Sequence, residues 1–291
     1  VTTLTVRPAP PGPPASGSDH RRPRRARPKR HTLTGGSGLG LGVAMIWFSL
    51  LVLIPLAAVV VTAAGGGVGT FVDALTNAQT LAALRLTVGA ALVVTVLNMV
   101  MGTVIAWVLV RDRFWGKRVI DLVIDIPFAL PTIVAGLVLL SLYGPGSPIG
   151  VQVNNTRWAV FLALAFVTLP FVVRTVQPVL EEIDTDAEDA AAALGADRFT
   201  TFRRVVLPAL VPAIFSGAAL SFARAISEYG AVVLLSGNLP GRTEVVSVRL
   251  FSSIEGGNTA AAAALATVML LIALLAIVVL DLGQRWVARR G

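Results

Sequence analysis

The chain has 291 residues, of which 55% are hydrophobic and 14% charged, with a mean hydropathy of +0.79 and a formal charge of +8. A soluble domain of this size has too little interior to hide that much apolar surface, so lipid must solvate most of it. The absence of cysteine excludes disulfides, thiolate metal sites and cysteine nucleophiles, and His20 and His31 do not stand at metal-ligand spacing.

Residues 1–38 are rich in Pro, Gly, Ser, Thr and Arg, include the run HRRPRRARPKRH and offer no apolar face, which predicts a disordered basic tail. Leu39 to Ala64 follows as an apolar stretch too long for a secretory signal core and long enough for a first membrane helix. Five later stretches approach or meet the same length, at 86–110, 119–142, 158–178, 205–226 and 260–281. The fold class expected is therefore all-α, a polytopic transmembrane bundle of about six spans over residues 39–283. A short run, Ala231 to Leu235, has glycine flanks that favour a break, either as an extension of the fifth span or as a re-entrant piece.

The positive residues set the orientation. Eight Lys and Arg precede the first span, four lie between spans two and three, four around the segment between spans four and five, and three after the last span. Nineteen of the 24 thus fall on one side. Basic loops stay in the cytoplasm, so both termini, including the short basic stretch 284–291, are expected there. The charge is a topology signal rather than a nucleic-acid footprint. The remaining five are Arg85, Arg157, Arg224, Arg242 and Arg249.

Pro127 and Pro131 interrupt the third span, Pro170 the fourth, and Pro208 and Pro212 the start of the fifth. Each removes a helix hydrogen bond, and a lined cavity or neighbouring helix must satisfy the freed carbonyl. Pro127, Pro131 and Thr132 are on that ground candidates for a translocation path. So are Arg224, Ser227 and Glu228, because intramembrane charges are rare and Arg224 and Glu228 stand one helical turn apart. Asp121 and Asp125, also one turn apart, suit the N-terminal dipole of span three, and Arg174 suits an interfacial anchor.

Between spans four and five lies a polar segment, 184–204, that predicts two short helices. Thr185 with Glu188 forms a capping-box pattern, Ala190 to Ala193 favours helix, and Gly195 supplies a left-handed stop. A basic stretch from Asp197 to Arg204 then leads into Leu207-Pro208.

This segment resembles the permease subunits of bacterial ABC importers, whose hallmark is Glu-Ala-Ala, three residues, Gly, nine residues, an aliphatic residue, one residue, then Leu-Pro. The register here is Asp189-Ala190-Ala191, Gly195, Val205 and Leu207-Pro208, with Asp for Glu and Val for Ile. The resemblance implies a coupling helix on which these seven residues dock an ATPase. The blocks DIPFALPTIVAGL, PFVVRTVQPVLEE and SFARAISEYGAVVLLSGN are similar to the T-type permease of sulfate and thiosulfate importers, over about residues 40–290. Molybdate and tungstate permeases share that oxyanion branch and are the alternative.

The chain has no Gly-x4-Gly-Lys-Ser/Thr loop, since its two lysines are Lys29 and Lys117, and it shows no catalytic constellation. It is thus expected not to be an enzyme and to hold no cofactor. The resemblance implies ATP and Mg on two copies of a partner ATP-binding subunit, a second homologous permease, and an extracytoplasmic sulfate-binding protein at the bacterial inner membrane. A stand-alone secondary transporter or channel would show inverted repeats or a proton relay, and neither is visible.

Overall fold

The computed structural model describes residues 35–288, so the tail up to residue 34 and residues 289–291 lie outside the described residues. Those described are almost entirely helical, with no strand among them. The chain divides after Leu51 into two units. In the first, α1 (Gly35–Phe48) begins within the last residues assigned to the tail and exposes Leu39, Ile46 and Trp47.

The second unit holds α2 (Ile54–Gly65), α3 (Gly67–Thr76), α4 (Ala78–Arg111), α5 (Lys117–Ala129), α6 (Thr132–Tyr143) and α7 (Arg157–Glu182). These are followed by α8 (Thr185–Ala193), α9 (Arg198–Thr201), α10 (Leu207–Ile226), α11 (Gly230–Leu235), α12 (Val246–Glu255) and α13 (Thr259–Ala288). Five helical runs are long and apolar enough to cross a membrane: Gly38–Gly65, Ala78–Arg111, Arg157–Glu182, Arg198–Ile226 and Thr259–Arg285.

The third expected span differs from a single helix. It is broken into α5 and α6, bent by 119°. Pro131 disfavours helical backbone in the residue before it, and Leu130 is accordingly extended at φ −88° and ψ 136°. Pro127 stays inside α5. The fifth span starts earlier than its hydropathy suggests, at Arg198, and passes through a π-helical turn at Phe202–Val206. That turn directly precedes Pro208, whose missing N–H and ring crowd the ordinary helical register. The chain then breaks after Ile226, and α11 forms a separate short helix.

Helices α4, α7 and α10 pack on one another, α13 covers α10 and α2, and α6 packs on α11 and α7. Small residues allow this close approach. A Cβ at Gly102 of α4 would stand 2.8 Å from Cβ of Val172 on α7. Between the same three helices, Asn98 donates from Nδ2 to Oγ1 of Thr168 at 2.8 Å and to Oγ of Ser221 at 3.2 Å, all three buried. Helices α3 and α12 are too short and too polar to show as spans, and hydropathy alone does not reveal them.

Candidate functional site: the protruding helix and the broken spans

The segment after α7 folds as the expected pair of short helices, with one change at its start. Asp184, rather than Thr185, caps α8, its Oδ1 accepting from the Asp186 N–H at 3.0 Å. Glu188 does not fold back into a capping box. Its Oε1 accepts from Arg111 Nη2 at 2.6 Å and ties α8 to the last turn of α4. A charge-assisted contact to a guanidinium outcompetes a neutral backbone N–H for the same carboxylate.

The end of α8 is a left-handed stop. Gly195 has φ +83°, its N–H reaches the Ala192 carbonyl at 2.9 Å, and the Ala196 N–H reaches Ala191 at 3.0 Å. This pair of bonds satisfies the terminal carbonyls and turns the chain sharply. Asp197 then caps α9, its Oδ1 accepting from the Thr200 N–H at 2.8 Å, and these contacts with Thr200 hold its carboxyl below the usual carboxylate range.

Of the seven motif residues, Asp189 and Ala190 are exposed on α8. Val205 and Leu207 instead pack on the buried cluster that contains Val206 and Leu210. Two residues that the motif did not single out flank the turn: Leu194 is 90% exposed and Phe199 68%. Their signal in the sequence is large apolar side chains in an otherwise polar segment. Behind α8 lies a cavity of about 480 Å³ lined by Trp107, Arg111, Asp189 and Arg198, among others, and Trp107 meets Phe202 edge-on at 5.2 Å.

A second charged cluster joins α5 to α7. Arg174 donates from Nη1 to Asp121 Oδ1 and from Nε to Asp125 Oδ1, both at 2.7 Å, and also reaches the Asp121 carbonyl at 2.8 Å. Sequence spacing placed the three residues in separate roles, because the α5–α7 contact spans about fifty positions and leaves no periodic signal.

Of the candidate path residues, Pro131, Thr132, Arg224, Ser227 and Glu228 fall around one joint, whereas Pro127 lies inside α5. Arg224 Nη2 stands 2.9 Å from Glu228 Oε2, an ion pair whose alignment is poor for a hydrogen bond, and the Glu228 side chain is fully buried. Its other oxygen, Oε1, accepts from the Ala231 N–H at 3.0 Å and so opens α11, while its carbonyl accepts from Ser247 Oγ at 2.6 Å. Glu228 thereby fastens α10, α11 and α12 together. Thr132 and Ile133, at the start of α6, press on Gly230, where a Cβ would stand 2.7 Å from the Ile133 nitrogen. The break at Pro131 and the break after Ile226 thus pack against each other. Ser227 is exposed and bonds within its own turn, to the Arg224 carbonyl at 3.0 Å.

Residues 98–290 match the family model described as binding-protein-dependent transport system inner membrane component. The chain is 41% identical over 254 residues to the sulfate transport system permease protein CysT of Synechocystis sp., covering 85% of this chain and 89% of that protein. It is 41% identical to the protein of the same name in Salmonella typhimurium over 262 residues, covering 88% and 95%. Among solved structures, a bacterial alginate ABC transporter in complex with its alginate-bound periplasmic protein contains a chain similar in fold. That chain has a TM-score of 0.72 at 16% identity, covering 86% of this chain and 94% of that one. The helical bundle, its broken spans and these matches agree: the chain belongs to the family of binding-protein-dependent transport system inner membrane components, on the branch of the T-type sulfate permeases.

Proposed function

We propose that this chain is a membrane-spanning permease subunit of an ATP-driven importer of sulfate or thiosulfate, with α8 as the coupling helix. The observation that carries the reading is α8 itself, an exposed helix of small residues closed at Gly195 and tied through Glu188 to the last turn of α4. Of two ATP-binding subunits, which hold ATP and Mg, one receives the face of Asp189 and Ala190 together with Leu194 and Phe199. Exposed apolar side chains of that size beside small residues suit a groove on a partner. Val205 and Leu207, packed on the cluster of Val206 and Leu210, fix the re-entry of the chain, while Pro208 is exposed and stays with the docking surface. A displacement of α8 is passed to α4 by the Arg111–Glu188 pair, and to α10 by the continuous run from Arg198.

A sulfate dianion left bare in hydrocarbon would cost many kcal/mol, so the path is polar and opens to one side at a time. The packed breaks at Pro131 and Glu228 are the part of the bundle where the helices are interrupted, which suits such a path. A second, related permease completes it, and an extracytoplasmic binding protein delivers the anion. With the basic loops inside, both termini lie in the cytoplasm of a bacterial cell. Uptake of radiolabelled sulfate by a strain lacking its own permease, with thiosulfate and molybdate as competitors, tests the reading. Restored sulfate uptake for which thiosulfate competes is expected, and a strain in which the chain restores uptake of molybdate but not of sulfate would overturn it.

A further inference from the structure

Five arginines fall outside the basic loops, and the structure divides them into two groups. Arg224 and Arg249 are each paired with a buried glutamate, Glu228 at 2.9 Å and Glu244 at 3.4 Å. The other three, Arg85 on α4, Arg157 at the start of α7 and Arg242 in the loop before α12, line one cavity of about 520 Å³. None of these three is in an ion pair among the described residues. Arg157 Nε donates to the Arg242 carbonyl at 3.3 Å, which joins the two segments that carry them. The single carboxylate on the cavity wall is Glu244, and Arg249 already neutralises it.

Arg85 and Arg111 are 26 positions apart on the same helix, or about 39 Å at the helical rise, so this cavity and α8 are at opposite ends of α4. Three like charges around one opening repel one another, a repulsion that solvent screens in part because all three side chains are exposed. An anion relieves it. Guanidinium forks match the oxygens of a tetrahedral group with two donors at a time.

We propose that Arg85, Arg157 and Arg242 form a binding site for a tetrahedral oxyanion at the mouth of the bundle facing away from the coupling helix. Resting on the transport reading above, this site takes the anion as it arrives from outside, before the path opens. The same chemistry is presented by the phosphate of a lipid headgroup, and the test separates the two sources.

The complete transporter complex is placed in nanodiscs of phosphatidylcholine, without binding protein, and titrated with radiolabelled sulfate. Saturable binding is expected, about tenfold weaker in each of R85Q, R157Q and R242Q and lost in the triple variant; single variants suffice where the triple does not assemble. In nanodiscs containing phosphatidylglycerol, native mass spectrometry reports retained lipid. Lipid retention that depends on the three arginines, without sulfate binding, assigns the site to a headgroup and upholds the oxyanion chemistry. Sulfate and lipid binding both unchanged in the variants would overturn the proposal. With wild-type sulfate uptake intact, that result leaves the transport reading standing. Arginine-dependent binding of molybdate in place of sulfate would instead uphold the site and overturn the reading of the cargo.

Discussion

Arg111 and Glu188, 77 positions apart in the chain, meet at 2.6 Å and join the long helix α4 to the protruding helix α8. Both side chains are about one-fifth exposed, so solvent screens the pair only in part. If the pair passes motion between the two helices, its loss should uncouple transport from hydrolysis. R111Q or E188Q is expected to lower sulfate transported per ATP hydrolysed severalfold. The charge-swapped double variant should recover part of the loss, with a coupling energy of about 1 kcal/mol in the double-mutant cycle.

Arg174 separates two aspartates that stand on the same face of α5. R174A leaves Asp121 and Asp125 facing each other without a cation; both aspartates are more than two-fifths exposed, so solvent screens them and the loss of thermal stability should be about 1 kcal/mol. D121N in the same background should restore part of it. Unfolding of the purified protein in detergent, followed by tryptophan fluorescence, measures both.

Gly102 has no room for a side chain against Val172, whereas Gly69 of α3 has nothing within 4 Å. G102V should therefore cost about 1–3 kcal/mol by overpacking the α4–α7 contact, and G69A should be neutral. Detergent melting temperatures compare the two.

Replacing Asn98 by leucine removes the donor shared by Thr168 and Ser221 in the middle of the bundle. The expected loss is about 1 kcal/mol, the scale of interhelical hydrogen bonds in membranes. Amide exchange on α7 near Thr168 should quicken.

Asp197 gives a pH dependence with a defined sign. Its carboxyl is held below the usual range by Thr200, so its contribution to the α9 cap is full at neutral pH. The contribution fades as acid protonates the group, below the ordinary carboxylate range. The protection of the Thr200 amide, its intrinsic exchange rate at each pH divided by the observed rate, should fall on acidification, and D197A should abolish that fall by leaving the amide unprotected at every pH.

Long apolar runs made the spans legible, and the residues from Asp184 to Arg204 made the pair of short helices α8 and α9 legible, because both are local in sequence. Pro131 announced a defect but not its 119° bend, which depends on what packs beside it. The pairing of Arg174 with Asp121 and Asp125, the partner of Glu188, and the helices α3 and α12 all come from tertiary contact, which composition and periodicity do not carry. Arg85, Arg157 and Arg242 stood out in the sequence only as exceptions to the charge bias, and their convergence on one cavity became visible in the fold.

Transmission of ATP hydrolysis to the bundle through α8 requires the left-handed closure at Gly195. Proteoliposomes of the complete transporter carrying G195P, whose proline cannot adopt the left-handed backbone found there, test it directly. ATP-dependent sulfate uptake should be abolished while the chain remains inserted in the membrane. Normal uptake with the ATPase still co-purifying would contradict it.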